Sequence, residues 1–137
     1  LARFPGSGKT TLLKIIAGRC AGDFTGEITL NQRLLTQDLF DSACAFVDFS
    51  QPLIDVLSVR AALRFQADLT LCGLSDRQKE ERAASFVREF DLVPYNDVLI
   101  RELNEAARRR LLLCMHLIRD PGKFLLKISL KNFLSTY

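Results

Sequence analysis

The run Pro5-Gly6-Ser7-Gly8-Lys9-Thr10-Thr11 constrains this chain more than any other stretch, because it sets glycines, a lysine and two hydroxyls at the head of an apolar segment. Gly6 and Gly8 can take backbone conformations closed to residues with a Cβ, so that successive N–H groups converge on an anion. Lys9 adds a point charge for β/γ-phosphates, and the Thr10 hydroxyl is placed to ligate Mg²⁺. From Thr10 to Arg19 the residues Leu12, Leu13, Ile15, Ile16 and Ala17 are apolar around most of a helix circumference, which predicts a helix buried against a sheet. Its N-terminal dipole and unpaired amides would face the same phosphates. The full pattern G-x-x-x-x-G-K-[ST] asks for a further glycine where Arg3 stands, so the match is partial. A glycine turn that merely opens a helix is the bland alternative, and Gly-Ser-Gly-Lys-Thr-Thr leading at once into an apolar helix is more demanding than that. The nucleotide-binding candidates are therefore Gly6, Ser7, Gly8, Lys9, Thr10 and Thr11, with Thr10 also the candidate metal ligand; no catalytic residue is assigned.

A chain of 137 residues fits one domain at most, and 48% hydrophobic with 26% charged residues is ordinary for a globular protein. A net charge of +3, with basic and acidic residues intermixed, gives no footprint for nucleic acid. Cys20, Cys44, Cys72 and Cys114 occur singly without C-x-x-C spacing, so they read as reduced, core-filling thiols of an intracellular protein. The apolar run Leu111 to Ile118 is broken by His116 and falls far short of the ~20 residues that span a bilayer. A phosphate loop normally follows a buried strand, and only Leu1 and Ala2 could belong to one, so an incomplete domain is expected.

Further along, Gly18 or Gly22 can end the first helix. Gly26 to Leu30 alternates polar and apolar and Asn31-Gln32 supplies a turn, predicting a short strand and hairpin. Cys44-Ala45-Phe46-Val47 has strand length. Ser58 caps a helix through about Leu71, with Val59, Ala62, Leu63 and Leu69 facing inward. Ser75-Asp76-Arg77-Gln78 is a capping box opening a helix whose Ala83, Phe86, Val87 and Phe90 recur at helical spacing as core. A last helix runs from about Glu105 to Ile118, capped by Asn104, with Leu111, Leu112, Met115 and Ile118 buried. Arg108, Arg109 and Arg110 point in three directions and read as a solvated face, and His116 as a packed or surface side chain rather than a base.

With these landmarks the chain resembles the nucleotide-binding domain of ATP-binding-cassette (ABC) transporters, of the white and sterolin type of half-transporter (the G subfamily). The resemblance covers residues 1 to about 121. The family's strand "GE-apolar-x-apolar-N-G" stands as Gly26 to Asn31, with Gln32 for glycine; its "L-T-V-R-E" helix start as Leu57 to Ala61; its "E-E-L-x-L" helix ending around Glu89 to Leu92; and its "R-R-R … L-L-x-D-P" as Arg108 to Arg110 with Leu117 to Pro121. The resemblance implies an α/β P-loop NTPase fold of ABC type, incomplete here, with a helical subdomain over about 58–118 inside a partial domain of residues 1–121. It also implies that two such domains bind Mg-ATP head to tail and hydrolyse it, driving a membrane domain outside this chain. The domain would lie on the cytoplasmic side, and the cargo would be lipid- or sterol-like. No nucleic-acid partner is implied.

The departures fall on the second half of the site. The glutamine after the second strand is replaced by Phe49, with Gln51 two residues later a shifted substitute. The signature L-S-G-G-[QE] stands as Leu103-Asn104-Glu105-Ala106-Ala107. Loss of the serine hydroxyl removes a charge-assisted hydrogen bond to the partner's γ-phosphate, about 1–3 kcal/mol. A carboxylate such as Glu105 within ~4 Å of a phosphate charge repels it by ~4 kcal/mol at an effective dielectric of ~20, which outweighs the missing donor. The Walker B Asp-Glu pair, which holds Mg²⁺ and activates water, falls on Lys127 and Ile128. This copy is thus expected to be hydrolysis-deficient.

Two other functions compete. A small-molecule or nucleotide kinase also favours proline and glycine before Ser-Gly-Lys, although Leu-Ile-Arg-Asp-Pro and the residues after Gly26 argue against it. A non-catalytic pseudo-ATPase module paired with an active partner is the third. The tail 122–137 reads either as sequence foreign to the family, since Gly122-Lys123-Phe124 is compatible with a splice-donor string in its codons, or as a diverged strand.

Overall fold

A computed structural model describes residues 8–23, 25–30, 32–119 and 123–127. The chain divides into two compact units, Leu1–Asp48 with Pro121–Tyr137, and Phe49–Asp120.

The first unit is mixed helix and strand. Helix α1, Lys9–Ile16, ends as its glycine predicts: Gly18 sits at φ +63°, its N–H donating to Ile15 O at 3.0 Å while Arg19 N–H donates to Lys14 O at 2.7 Å. Those two bonds satisfy carbonyls that the last turn would leave open. A Cβ at position 18 would also strike the Gln37 side chain. Strands β1, Thr29–Leu30, and β2, Arg33–Leu34, form the expected hairpin, with Gln32 taking φ +65° in the two-residue turn.

Helix α2, Gln37–Ala43, was not legible in the sequence: Thr36 caps it, its Oγ1 accepting from Leu39 N at 3.3 Å. It leads directly into β3, Cys44–Asp48, whose first four residues are buried and which pairs in parallel with β4, Lys123–Lys127, from Cys44↔Lys123 to Asp48↔Lys127. A strand buried on both faces carries the continuous apolar run seen in Cys44 to Val47.

The core of this unit is Ala17, Phe40, Cys44 and Phe46, with Leu13, Leu30 and Leu35 at its margin. The expectation that α1 is buried around its circumference is corrected here. Only Ala17, just past its end, is fully buried, Leu13, Ile15 and Ile16 are half-buried, and Leu12 is 58% exposed. Among the described residues two strands form the parallel sheet of this unit, and exposure falls along α1 from Thr10, Thr11 and Leu12 to Ala17.

Among the described residues the regular elements of the second unit are helices, α3, Val59–Thr70, α4, Asp76–Glu89, and α5, Glu105–Leu117, with two 3-10 turns, Val93–Tyr95 and Ile100–Glu102, and one antiparallel bridge from Ser58 to Leu99. Each predicted cap is formed. Ser58 Oγ accepts from Ala61 N, Asn104 Oδ1 from Ala107 N, and Ser75 and Gln78 close a reciprocal box. Val59, Leu63, Leu92, Ile100, Leu111 and Ile118 are fully buried in one shared core. Some inward-facing assignments are corrected: Phe86 and Phe90 are half-buried, packed against this core and not within it. Leu69 is 60% exposed and Ala67 takes the buried position, while Met115 is only half-buried and Cys114 lies in the core beside it. The cysteines split likewise: Cys44 and Cys114 are buried, Cys20 is half-exposed and Cys72 exposed, so core-filling holds for two of them. Burial pushes the Cys114 thiol up to about 12, which keeps it protonated and inert.

An ion-pair network ties α3 to α4. Arg60 Nη2 meets Glu80 Oε1 at 2.6 Å, and Arg64 reaches Asp68 at 3.1 Å, Asp76 at 2.9 Å and Glu80 at 3.2 Å. Lys79 closes on Asp68 at 3.3 Å. Hydrogen bonds from Arg64 hold the Asp68 carboxyl below its ordinary 3.8, and those from Arg60 and then Arg64 hold Glu80 below its ordinary 4.5. Carboxyls depressed in the folded state contribute stability that is present above their ordinary values and is lost as pH falls through the folded ones. We therefore expect the melting temperature to drop as pH falls from about 5 towards 3, and Arg64→Ala to flatten that limb. Equal acid slopes in wild type and Arg64→Ala, by thermal scans at fixed ionic strength, would show the network to be inert.

Candidate nucleotide site

Gly6 and Ser7 of the loop, and Arg3 at its first glycine position, lie outside the described residues. Gly8 stands at the N-cap of α1 with φ +74° and ψ +5°, in the left-handed region, and nothing lies within 4 Å of where its Cβ would be. The backbone conformation, and not crowding, is what requires glycine there. Its carbonyl accepts from Leu12 N at 2.8 Å, so the helical ladder begins at Gly8 and the amides of the first turn are left without intrahelical partners. The N-termini of α2, α3, α4 and α5 are each capped by a side chain, from Thr36, Ser58, Ser75 and Asn104, whereas Gly8 has no side chain to do so. No carboxylate lies in the first turn of α1, and Thr10 and Thr11 are exposed. An uncapped helix start with positive dipole, a lysine and two accessible hydroxyls is an arrangement that takes an anion.

The signature residues form the entrance to α5 in the helical unit. Leu103 and Ala107 are buried and anchor it, while Asn104, Glu105 and Ala106 are exposed. Asn104 spends its side-chain oxygen on Ala107 N–H at 2.8 Å and its amide nitrogen on Tyr95 Oη at 3.3 Å. Glu105 pairs with Arg109 Nε at 3.1 Å, one turn on. That guanidinium offsets part of the repulsion Glu105 would exert on a phosphate. Its i,i+4 spacing is readable in the sequence. The other two arginines of the run do point elsewhere, Arg108 to Asp55 Oδ1 at 2.6 Å and Arg110 to Asp91 O at 3.4 Å.

Lys127, at the first Walker B position, is the last residue of β4, and Ile128 lies outside the described residues, as do Asp120, Pro121 and Gly122 and residues 128–137. Among the described residues no group of three or more His, Cys, Asp or Glu side chains is arranged to hold a metal ion. Magnesium would arrive on phosphates, with Thr10 the candidate protein ligand; a lysine at position 127 does not fit the aspartate's part.

A family model described as "ABC transporter" matches residues 5–126, most of the chain. The chain belongs to that family. Among curated proteins it is 32% identical to ABC transporter G family member 23 of Arabidopsis thaliana over 132 residues, 33% identical to ATP-binding cassette sub-family G member 5 of Mus musculus over 128, and 30% identical to ABC transporter G family member 22 of Dictyostelium discoideum over 133. Each match takes in 88% of this chain but 20–22% of the relative, so the chain spans about a fifth of the length of the proteins it matches. The G-type resemblance read from Gly26 to Asn31 and from Leu57 to Ala61 is thereby shown, and the kinase alternative gives way to it. No helix among the described residues is long and apolar enough to cross a membrane.

Proposed function

We propose that this chain is nucleotide-binding-domain sequence of a G-type ABC half-transporter, with the P-loop NTPase fold, and that it binds Mg-ATP through Gly6, Ser7, Gly8, Lys9, Thr10 and Thr11. The observation that carries this reading is the left-handed Gly8 at the uncapped start of α1, followed by exposed Thr10 and Thr11. The expected partners are a second nucleotide-binding domain and a membrane domain outside this chain, which would hold this domain at the cytoplasmic face and select a lipid- or sterol-like cargo. Membership of the family supports both.

Hydrolysis is proposed to be lost in this copy. Lys127 stands where the metal-holding aspartate is needed, and its charge opposes a cation instead of attracting it. At the far half of the site, Asn104 is already committed to its own helix and Glu105 adds negative charge, so a partner's phosphate finds fewer donors. A non-catalytic module that supports an active partner is the form this reading takes.

Labelled ATP and phosphate release, measured together on the full chain with Mg²⁺, test it. Saturable binding with phosphate release at background is the expected result. Release above background that disappears in Lys9→Ala would overturn the loss of hydrolysis, and no saturable binding at millimolar ATP would overturn the nucleotide reading itself.

A further inference from the structure

We infer that the segment joining β3 to α3 is a strap held on the helical unit by two polar latches, with Gln51 and His116 serving as positioning residues of the strap. Gln51 is then not a shifted substitute for the glutamine after the second strand. The first latch is at Gln51, whose Oε1 lies 3.2 Å from His116 Nε2, so that the Nε2–H tautomer donates to it. The second is at Asp55, whose Oδ1 accepts from Arg108 Nη2 at 2.6 Å. Both partners project from α5. Beyond the second latch the backbone takes over: Arg101 N–H donates to Asp55 O at 3.3 Å and Ile100 N–H to Leu57 O at 2.9 Å.

The packing beneath the strap explains why it needs latches. Two adjoining cavities of about 200 and 350 Å³ share Pro52, Leu53, Gln66 and Met115 in their walls. Leu53 and Leu57 are half-buried against the core, but Ile54 and Val56 are 52% and 72% exposed, so the strap's apolar anchorage is confined to two side chains. The two side-chain contacts from α5 add to the backbone bonds at Asp55 and Leu57 and to the packing of Leu53 and Leu57, and the first of them turns the Gln51 amide oxygen towards His116. The strap therefore belongs with the helical unit, which starts at Phe49, immediately after the last residue of β3.

Hydrogen–deuterium exchange on the full chain tests the latches without reference to nucleotide. In Arg108→Ala, peptides covering 50–57 are expected to exchange about tenfold faster, with a smaller rise in His116→Ala and the largest in the double variant, while α4 keeps its wild-type rate. Unchanged exchange over 50–57 in both single variants would overturn the proposal. If Arg108→Ala loosens α4 as well, Asp55→Asn decides from the strap side: a rise confined to 50–57 supports the latch and no rise overturns it. A second arm rests on the nucleotide reading. Gln51→Ala and His116→Ala should both leave Mg-dependent ATP affinity within about twofold of wild type. A tenfold or greater loss in Gln51→Ala alone would return Gln51 to the nucleotide site and overturn the assignment. A wild type that binds no ATP would count against the nucleotide reading and leave the exchange arm to decide.

Discussion

Leu111→Ala will cost the helical unit about 2–5 kcal/mol, the range for removing a fully buried leucine where the surroundings relax only in part. Leu111 is 0% exposed and sits in the one core shared by α3, α4, α5 and the 3-10 turns, among Leu63, Leu92, Ile100 and Cys114. Truncation removes its transfer energy and leaves a void lined by neighbours that several elements hold in place. Small domains are stable by only about 5–15 kcal/mol, so the loss is a large share of the total. Urea unfolding followed by far-UV circular dichroism reads it directly as a lower midpoint. Leu69→Ala is the matched control on the same unit: its side chain is already 60% in water, and its change should stay within about 0.5 kcal/mol. A loss below about 1 kcal/mol in Leu111→Ala would mean that the core is not packed as described.

Lys9→Ala is expected to weaken Mg-ATP binding by about 10- to 100-fold with little change in melting temperature. The lysine opens α1, whose amides and dipole already attract the anion, and the substitution removes a full charge while alanine keeps the helix favourable. A charge-assisted hydrogen bond contributes about 1.5–3 kcal/mol, and every ~1.4 kcal/mol is tenfold in affinity. Gly8→Ala should approach the same loss by another route, since a Cβ at φ +74° costs about 1–2 kcal/mol although space is open around it. Isothermal titration with wild type and both variants separates the two: charge removal makes the difference shrink as salt rises, whereas backbone strain does not depend on salt. Equal affinities for wild type and Lys9→Ala would remove the loop from the binding site.

Much of this architecture could be read from residues whose effect is local. Ser58, Ser75 and Asn104 start their helices because a short oxygen-bearing side chain reaches an amide three residues on, which needs nothing from the rest of the chain. Gly18 ends α1 and Gly8 opens it, each in the left-handed region, through backbone freedoms equally local. The apolar run Cys44 to Val47 marked a buried strand by composition alone.

What tertiary structure decided was which of several locally equal choices is buried or paired. Ala67 and Leu69 lie on opposite flanks of the α3 stripe, each about 80° from Val59 at ~3.6 residues per turn, so periodicity ranks them alike and hydrophobicity favours leucine. The core that α3 shares with α4 and α5 takes in Ala67 and leaves Leu69 in water. Helix α2, at seven residues, spans just under two turns, too few repeats for an apolar stripe to stand out. The parallel register of Cys44 with Lys123, the pairing of Asp55 with Arg108, and the contact of Gln51 with His116 each join residues far apart in sequence. No local preference encodes such pairs, because their geometry exists only after the intervening helices have packed.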